Sequence, residues 1–174
     1  TIYSGHSENI KERLERGLLD IGLLQEPVDI TKYSFVRTPI REQWGALMRS
    51  DSELAEKESV SPGDLAGMPL VLPERENLQN ELRNWFGPYG ENLRVIASGN
   101  LLYNMASLAR DSGGCVLTLR LNCAYEGMRF IPLSPGIEAG TVLVWKKTQI
   151  FSPATAAFID FSKEYISGIA QDLL

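Results

Sequence analysis

The chain has 174 residues, 44% of them hydrophobic, so it can bury a core as one domain or as two small lobes. Its 17 basic and 22 acidic residues give a formal net charge of −5, which argues against nucleic acid as a direct partner. The two cysteines lack metal-ligand spacing, and no apolar run approaches the roughly 20 residues of a membrane span. Two ordinary thiols and no visible export signal lead us to expect a cytoplasmic protein without a metal site or disulfide framework.

The first thirty residues are predicted to form a strand, a helix and a second strand. The opening stretch TIYSG is β-prone. Ser7 can cap a helix through ENIKERLERG, in which Ile10 and Leu14 share one face. The run LLDIGLL then follows as a buried strand, which completes a βαβ unit.

The middle of the chain is predicted to continue this alternation. Two strands, SFVRTPI and EQWGALMRS, precede a polar stretch in which Ser61 and Pro62 mark a short helix that ends before Gly67. The run PLVLPE repeats the buried-strand pattern, and NLQNELRNWFG is typical of an amphipathic helix. NLRVIAS is predicted to be the next strand.

The remainder adds two helices and three strands. NLLYNMASLARDSGG is predicted to be a helix that Ser98 can cap, with a core stripe formed by Leu101, Leu102, Met105, Leu108 and Ala109. CVLTL, MRFIPL and GTVLVWKK are the strands. A last helix begins at Ser152-Pro153, and its apolar face consists of Phe158, Phe161, Tyr165, Ile169 and Leu173. The whole pattern predicts an α/β fold with mostly parallel sheets.

The sequence lacks the motifs of common catalytic sites. It has no GxGxxG, phosphate-binding loop, HExxH or GxSxG pattern. With a single histidine, His6, there is little material for a histidine-based triad or a multi-histidine metal site. We therefore expect a binding domain without a cofactor rather than an enzyme.

Polar residues follow four of the predicted strands, and these are the candidate binding residues. Ligands of α/β folds collect at the carboxyl ends of strands, where loops and helix N-termini present free N–H groups. The four groups are Ser4, Gly5 and His6; Gln25 and Glu26; Pro73, Glu74 and Arg75; and Ser98, Gly99 and Asn100. Simpler interpretations stay open, because Ser98 can act only as a helix cap and Arg75 can pair with its flanking glutamates.

Trp44 is a further candidate. A tryptophan in an apolar strand is most often part of the core. A buried indole N–H still needs an acceptor, which suits the wall of a polar pocket.

Four segments together resemble a known family. SGHSENIKERLERGLLDIGLL, LAGMPLVLPE, LLYNMASLARDSGGCVLTL and VLVWKKTQIFSPATAAFIDF occur in the order found in the effector-binding domain of LysR-type transcriptional regulators. The resemblance implies a periplasmic-binding-protein-like fold of two α/β lobes, with a small effector in the cleft between them. Residues 1–41 and 147–174 would form the first lobe, and residues 42–146 the second. The four polar groups and Trp44 would then be effector contacts.

The resemblance also defines the expected function. It implies a sensor domain that binds a small, anionic metabolite and relays binding through dimer contacts to a helix-turn-helix that lies outside these residues. The family domain begins with a further strand and helix before TIYSG, so we expect an incomplete first lobe whose open sheet edge favours self-association. The alternative is a solute-binding protein of a transport system with the same fold.

Overall fold

The computed structural model describes residues 1–121 and 123–172, with side chains up to residue 169. Leu173, predicted to lie on the apolar face of the last helix, is outside the described residues. The chain divides into two compact units, Thr1–Arg41 with Ala139–Leu174 and Glu42–Glu138. The second boundary differs from the predicted one, because the strand at 138–146 pairs with a strand of the first unit rather than with the second.

The first unit is a small sheet with helices. Its elements are α1 (Ser7–Glu15), β1 (Ile21–Gln25), the first part of β2 (Tyr33–Arg49), β7 (Glu138–Lys146) and α5 (Pro153–Asp172). β7 is the last strand along the chain, and α5 is the final helix. β7 lies between β1 and β2 and is antiparallel to β1. Ile10 and Leu14 of α1 pack on Gly22, where a Cβ would lie 2.8 Å from Ile10 Cγ2.

The predicted opening strand is absent. Residues 1–6 have no strand structure, and none of the described strands pairs with them. Ile2 is 96% exposed, while the Tyr3 ring lies 3.9 Å from the Arg13 guanidinium. The backbone groups of a strand without a neighbour remain bonded to water, so β-propensity alone is not enough to form a strand at residues 1–6.

The second unit has a five-stranded mixed sheet. Its elements are the second part of β2, α2 (Pro62–Leu65), β3 (Leu70–Pro73), α3 (Glu76–Phe86), β4 (Val95–Gly99), α4 (Leu102–Ser112), β5 (Cys115–Leu119) and β6 (Met128–Pro132), with short 3-10 helices at Glu53–Glu56 and Gly87–Asn92. β3 is parallel to β4 and β5, whereas β2 is antiparallel to β5 and β6. The strand order is β6-β2-β5-β3-β4, and the parallel ladders described in this unit join β3 to β4 and β5.

Several predicted elements form as expected. Ser61 caps α2 and forms a reciprocal capping box with Asp64. β3, β4, β5, β6 and α3 occupy the predicted segments. SFVRTPI and EQWGALMRS, predicted as two strands, form the single strand β2, which continues from the first unit into the second. The α/β fold class is confirmed.

Two helices bury faces that differ from those predicted, although Met105 and Ala109 of α4 are buried as expected. In α4 the buried residues are Met105, Ala106 and Ala109, whereas Leu101 and Leu108 are exposed. Ser98 does not cap α4, because it lies in β4 opposite Leu72, and the helix begins only at Leu102.

In α5 the core positions are Ile159 and Ser162, whereas Phe158, Phe161 and Tyr165 are each more than half exposed. The aromatic face lies beside the buried stripe rather than on it, since consecutive helical residues are about 100° apart. Within the described residues, no helix is both long and apolar enough to cross a membrane.

Candidate functional site

Two of the predicted polar groups lie at the same end of the first unit. α1 and β1 are joined by residues 16–20 and pack on each other, so they run in opposite directions. The N-terminus of α1, preceded by Ser4, Gly5 and His6, therefore lies at the end of the unit where β1 finishes with Gln25. His6 is the N-cap of α1, and no side chain caps the helix there. This end combines a helix N-terminus with the end of a strand. The prediction that Ser4, Gly5 and His6 follow a strand was wrong, because residues 1–6 form none.

Glu26, just past β1, is held by two arginines. Arg37 Nε donates a hydrogen bond to Glu26 Oε1 at 2.9 Å, and Arg41 Nη1 lies 4.0 Å from Glu26 Oε2. The Glu26 side chain is 23% exposed, and those of Arg37 and Arg41 are 52% and 55% exposed. The Glu26 carboxylate is thus paired with two arginines, and the group of three side chains carries one net positive charge.

Arg37 and Arg41 were not predicted as site residues. Both lie on β2, four positions apart, and strand residues separated by an even number share a face. That spacing was the available signal, but the pairing with Glu26 depends on the order of β1, β7 and β2 in the sheet. Gly140 lies on β7, between β1 and β2. Its carbonyl accepts a hydrogen bond from the Glu26 N–H at 2.9 Å.

Two threonines and a glutamine lie close by at this end of the sheet. Thr38 Oγ1 and Thr141 Oγ1 are 2.7 Å apart, and Thr38 Oγ1 also donates to the Thr141 carbonyl at 3.2 Å. Thr141 pairs with Gln25 across β7 and β1, so their side chains share a face. The first unit therefore offers hydroxyl, amide and guanidinium groups next to the end of β1.

The second unit brings its predicted polar residues together at the ends of β3 and β4. Pro73 pairs with Gly99, and the Glu74 N–H donates to the Gly99 carbonyl at 2.9 Å. Asn100 Nδ2 donates to Glu74 Oε1 at 3.2 Å. Arg75 is the N-cap of α3, again without a side-chain cap. Parallel pairing of β3 and β4 explains this convergence, since parallel strands end at the same edge.

Trp44 is a core residue with an unsatisfied donor. It lies on β2 opposite Leu119 and is 2% exposed. Its indole Nε1 finds no acceptor among the described residues. Both sequence interpretations of Trp44 therefore keep support: the ring is in the core, and its N–H lacks a partner.

A cavity of about 290 Å³ in the second unit was not predicted. It lies between α4 and the segment before β6, and its polar lining comes from Tyr103, Ser107, Arg110, Cys123, Tyr125 and Glu126. The pKa of Tyr125 is raised above its usual range, mainly by burial and to a smaller extent by a hydrogen bond with Cys123. The lining residues are far apart in the sequence and follow no motif, so composition and spacing gave no signal for this cavity.

The described residues contain no group of three or more histidine, cysteine, aspartate or glutamate side chains that could hold a metal ion. Cys115 is buried and Cys123 is exposed, and both are free thiols. Burial raises the pKa of the Cys115 thiol to about 12, so it is protonated at neutral pH.

Comparison with known proteins gives a consistent answer. Residues 1–167 match the family model described as the LysR substrate binding domain. The effector binding domain of QuiR, solved with shikimate, has a TM-score of 0.82 at 16% identity, over 97% of this chain and 81% of that one. HinK, a LysR family regulator from Pseudomonas aeruginosa, has a TM-score of 0.79 at 19% identity, over 95% of this chain and 59% of that one.

A third solved structure is similar over most of its own length. The C-terminal domain of a probable LysR family regulator from Rhodococcus sp. RHA1 has a TM-score of 0.74 at 20% identity, over 91% of this chain and 80% of that one. The comparison with curated protein sequences gives no significant match. This chain thus spans 59% of the length of the HinK chain, and identities this low establish a shared fold alone.

Proposed function

The chain belongs to the LysR substrate-binding domain family, and we propose that it is the sensor part of a transcriptional regulator that binds a small anionic metabolite. The observation that carries the proposal is the end of the first unit where β1 finishes beside the α1 N-terminus. Two arginines face a single glutamate there, so the group favours an added negative charge. An uncapped helix N-terminus at the same end favours it as well.

The effector contacts are assigned to strand ends in both units. In the first unit they are Ser4, Gly5, His6, Gln25 and Glu26; in the second they are Trp44, Pro73, Glu74, Arg75, Ser98, Gly99 and Asn100. The Glu74–Asn100 hydrogen bond supports a built polar surface in the second unit, since it fixes both side chains at the end of β3. QuiR, with the same fold, was solved with shikimate, which is a carboxylate.

The wider role follows from the family. A regulator of this kind acts in the cytoplasm as a dimer or higher oligomer and contacts DNA through a domain outside these residues. The family consists of regulatory binding domains, and accordingly we assign no catalytic activity to this chain. A solute-binding protein of a transporter, the alternative with the same fold, is not favoured, because the match is to the LysR domain.

A ligand screen by thermal unfolding tests the proposal. A ligand that binds only the native state raises the unfolding midpoint in a concentration-dependent way. The screen uses shikimate, other small carboxylates, amino acids and inorganic anions at matched ionic strength, with neutral sugars as the comparison set. The proposal predicts a saturable rise with at least one anionic compound. A folded protein that no compound in any class stabilises would contradict it.

A further inference from the structure

The ion-pair group at the end of β1 is unevenly bonded. Arg37 makes a 2.9 Å hydrogen bond to Glu26, but the Arg41 contact with Glu26 is 4.0 Å, beyond hydrogen-bond length. The Arg41 side chain makes no other polar contact among the described residues, and it is 55% exposed. Arg41 lies in the middle of β2 but close to the end of β1, and most of its five N–H donors have no partner among the described residues.

The glycine at position 140 keeps this arrangement open. A Cβ there would lie 2.5 Å from Arg41 Nη1 and 2.6 Å from Glu26 Oε2. The ends of both side chains therefore meet directly over the β7 backbone. Any other residue would force one of them away, so the bare backbone at Gly140 is what lets Arg41 and Glu26 approach the same space.

We infer that Arg41 binds the anionic group of the effector and that Glu26 is its competitor within the protein. The inference rests on the proposed function and assigns a residue to it. A carboxylate or phosphate can accept two parallel N–H bonds from one guanidinium at about 2.8 Å, which Glu26 does not achieve at its present distance. Arg37 holds Glu26 by its other oxygen and so keeps Arg41 available.

Competition between Glu26 and the ligand for Arg41 predicts opposite changes in anion affinity for two variants. If Arg41 receives the ligand, removing its charge weakens anion binding, while removing the charge of Glu26 strengthens it. If the three residues only stabilise the fold, both changes weaken binding or leave it unaltered. The two variants are therefore expected to act in opposite directions.

The test measures the affinity of the purified protein for shikimate, succinate and inorganic phosphate by calorimetric titration, with thermal unfolding in parallel. The variants are Arg41→Gln, Arg41→Lys and Glu26→Gln. The matched control is Arg16→Gln, which removes another exposed arginine of the first unit, 3.4 Å from Glu12. All unfolding midpoints are expected within about 2 °C of wild type, because exposed ion pairs contribute little stability.

We expect Arg41→Gln to lose at least about tenfold in affinity for the bound anion, since a charged bidentate contact disappears. Arg41→Lys should recover only part of it, Glu26→Gln should bind more tightly than wild type, and Arg16→Gln should match wild type. Unchanged affinity in Arg41→Gln, or binding by Glu26→Gln that is no tighter than that of wild type, would overturn the inference. Stabilisation by neutral sugars alone would overturn the inference and the anionic nature of the effector but leave its role as a binding domain intact, whereas no stabilisation by any ligand would reject the proposed function as well.

Discussion

Gly140 lies directly beneath the guanidinium of Arg41, so that a Cβ at position 140 would stand 2.5 Å from Arg41 Nη1. The only other atom as close is Glu26 Oε2, and both atoms are at the ends of flexible side chains. The contact therefore constrains the ion-pair group much more than it constrains the backbone.

We predict that Gly140→Ala folds with nearly wild-type stability but binds the anionic effector more weakly. The new methyl group occupies the space beside the Arg41 guanidinium in which the anionic group of the ligand would lie. Stability changes little, because the ends of the Arg41 and Glu26 side chains can rotate away. Calorimetric titration gives the affinity, and thermal unfolding gives the stability. A variant that unfolds normally and binds as tightly as wild type would show that this space is not used by the ligand.

Gly45 is predicted to be intolerant of substitution for a structural reason. A Cβ at Gly45 would lie 2.2 Å from Phe130 Cζ and 2.6 Å from the Ile131 carbonyl oxygen, so strand β6 would have to shift. Gly45→Ala should lower the free energy of unfolding by about 1–3 kcal/mol, as overpacking does. Gly67→Ala is the control, since no atom lies within 4 Å of its Cβ position. Equal stability of the two variants in urea would contradict the packing described for β2 and β6.

Asp64 is predicted to make stability depend on pH in acid. The hydrogen bond from Lys57, followed by those from the Ser61 backbone and hydroxyl, lowers the pKa of Asp64 from 3.8 to about 2. Because the folded pKa is the lower one, this contribution is complete above the unfolded pKa and is lost as pH falls towards 2.

The variant Asp64→Asn should therefore be less stable by about 1 kcal/mol at neutral pH, the typical value of a helix cap. Its stability should also fall less steeply than that of wild type between about pH 4 and pH 2. Urea unfolding at a series of pH values measures both. Parallel stability curves for the two proteins across this range would contradict the assignment.

Trp44→Phe is predicted to separate packing from binding. The substitution leaves a cavity but also removes an N–H that has no acceptor among the described residues, and an unsatisfied buried donor costs about 1–3 kcal/mol. The free energy of unfolding should therefore change little, even though the buried ring is large. If the effector accepts from this N–H, its affinity falls; an unchanged affinity would assign Trp44 to the core alone.

Patterns in the sequence that depend on local chemistry predicted their elements well. The helix start at Ser61-Pro62 and the apolar runs of β3 and β5 are examples, because each is decided by neighbouring residues. The prediction of a strand at TIYSG was wrong, because a strand is stabilised by a partner strand that the local sequence does not specify. The prediction of the buried face of α5 was wrong, because the spacing of apolar residues does not show which of two adjacent stripes packs against the sheet.

The candidate site was predictable in position but not in its partners. The pattern of polar residues after strands singled out Glu26, Glu74 and Asn100, and the structure shows the polar partners of each. The two arginines that occupy Glu26 come from β2, and their approach depends on β7 lying between β1 and β2. Such contacts follow from sheet order, which the sequence pattern alone does not determine.

The most direct test of anion binding at the end of β1 is a nuclear magnetic resonance titration of the isotope-labelled protein. The ligand is the carboxylate that raises the unfolding midpoint most in the screen, and Arg41→Gln is titrated in parallel. We predict saturable shifts at the amides of Glu26, Gly140 and Thr141 and at the Arg41 guanidinium, and much weaker shifts in the variant. Shifts confined to the cavity beside Tyr103 and Arg110, with this end of the first unit unaffected, would contradict the account.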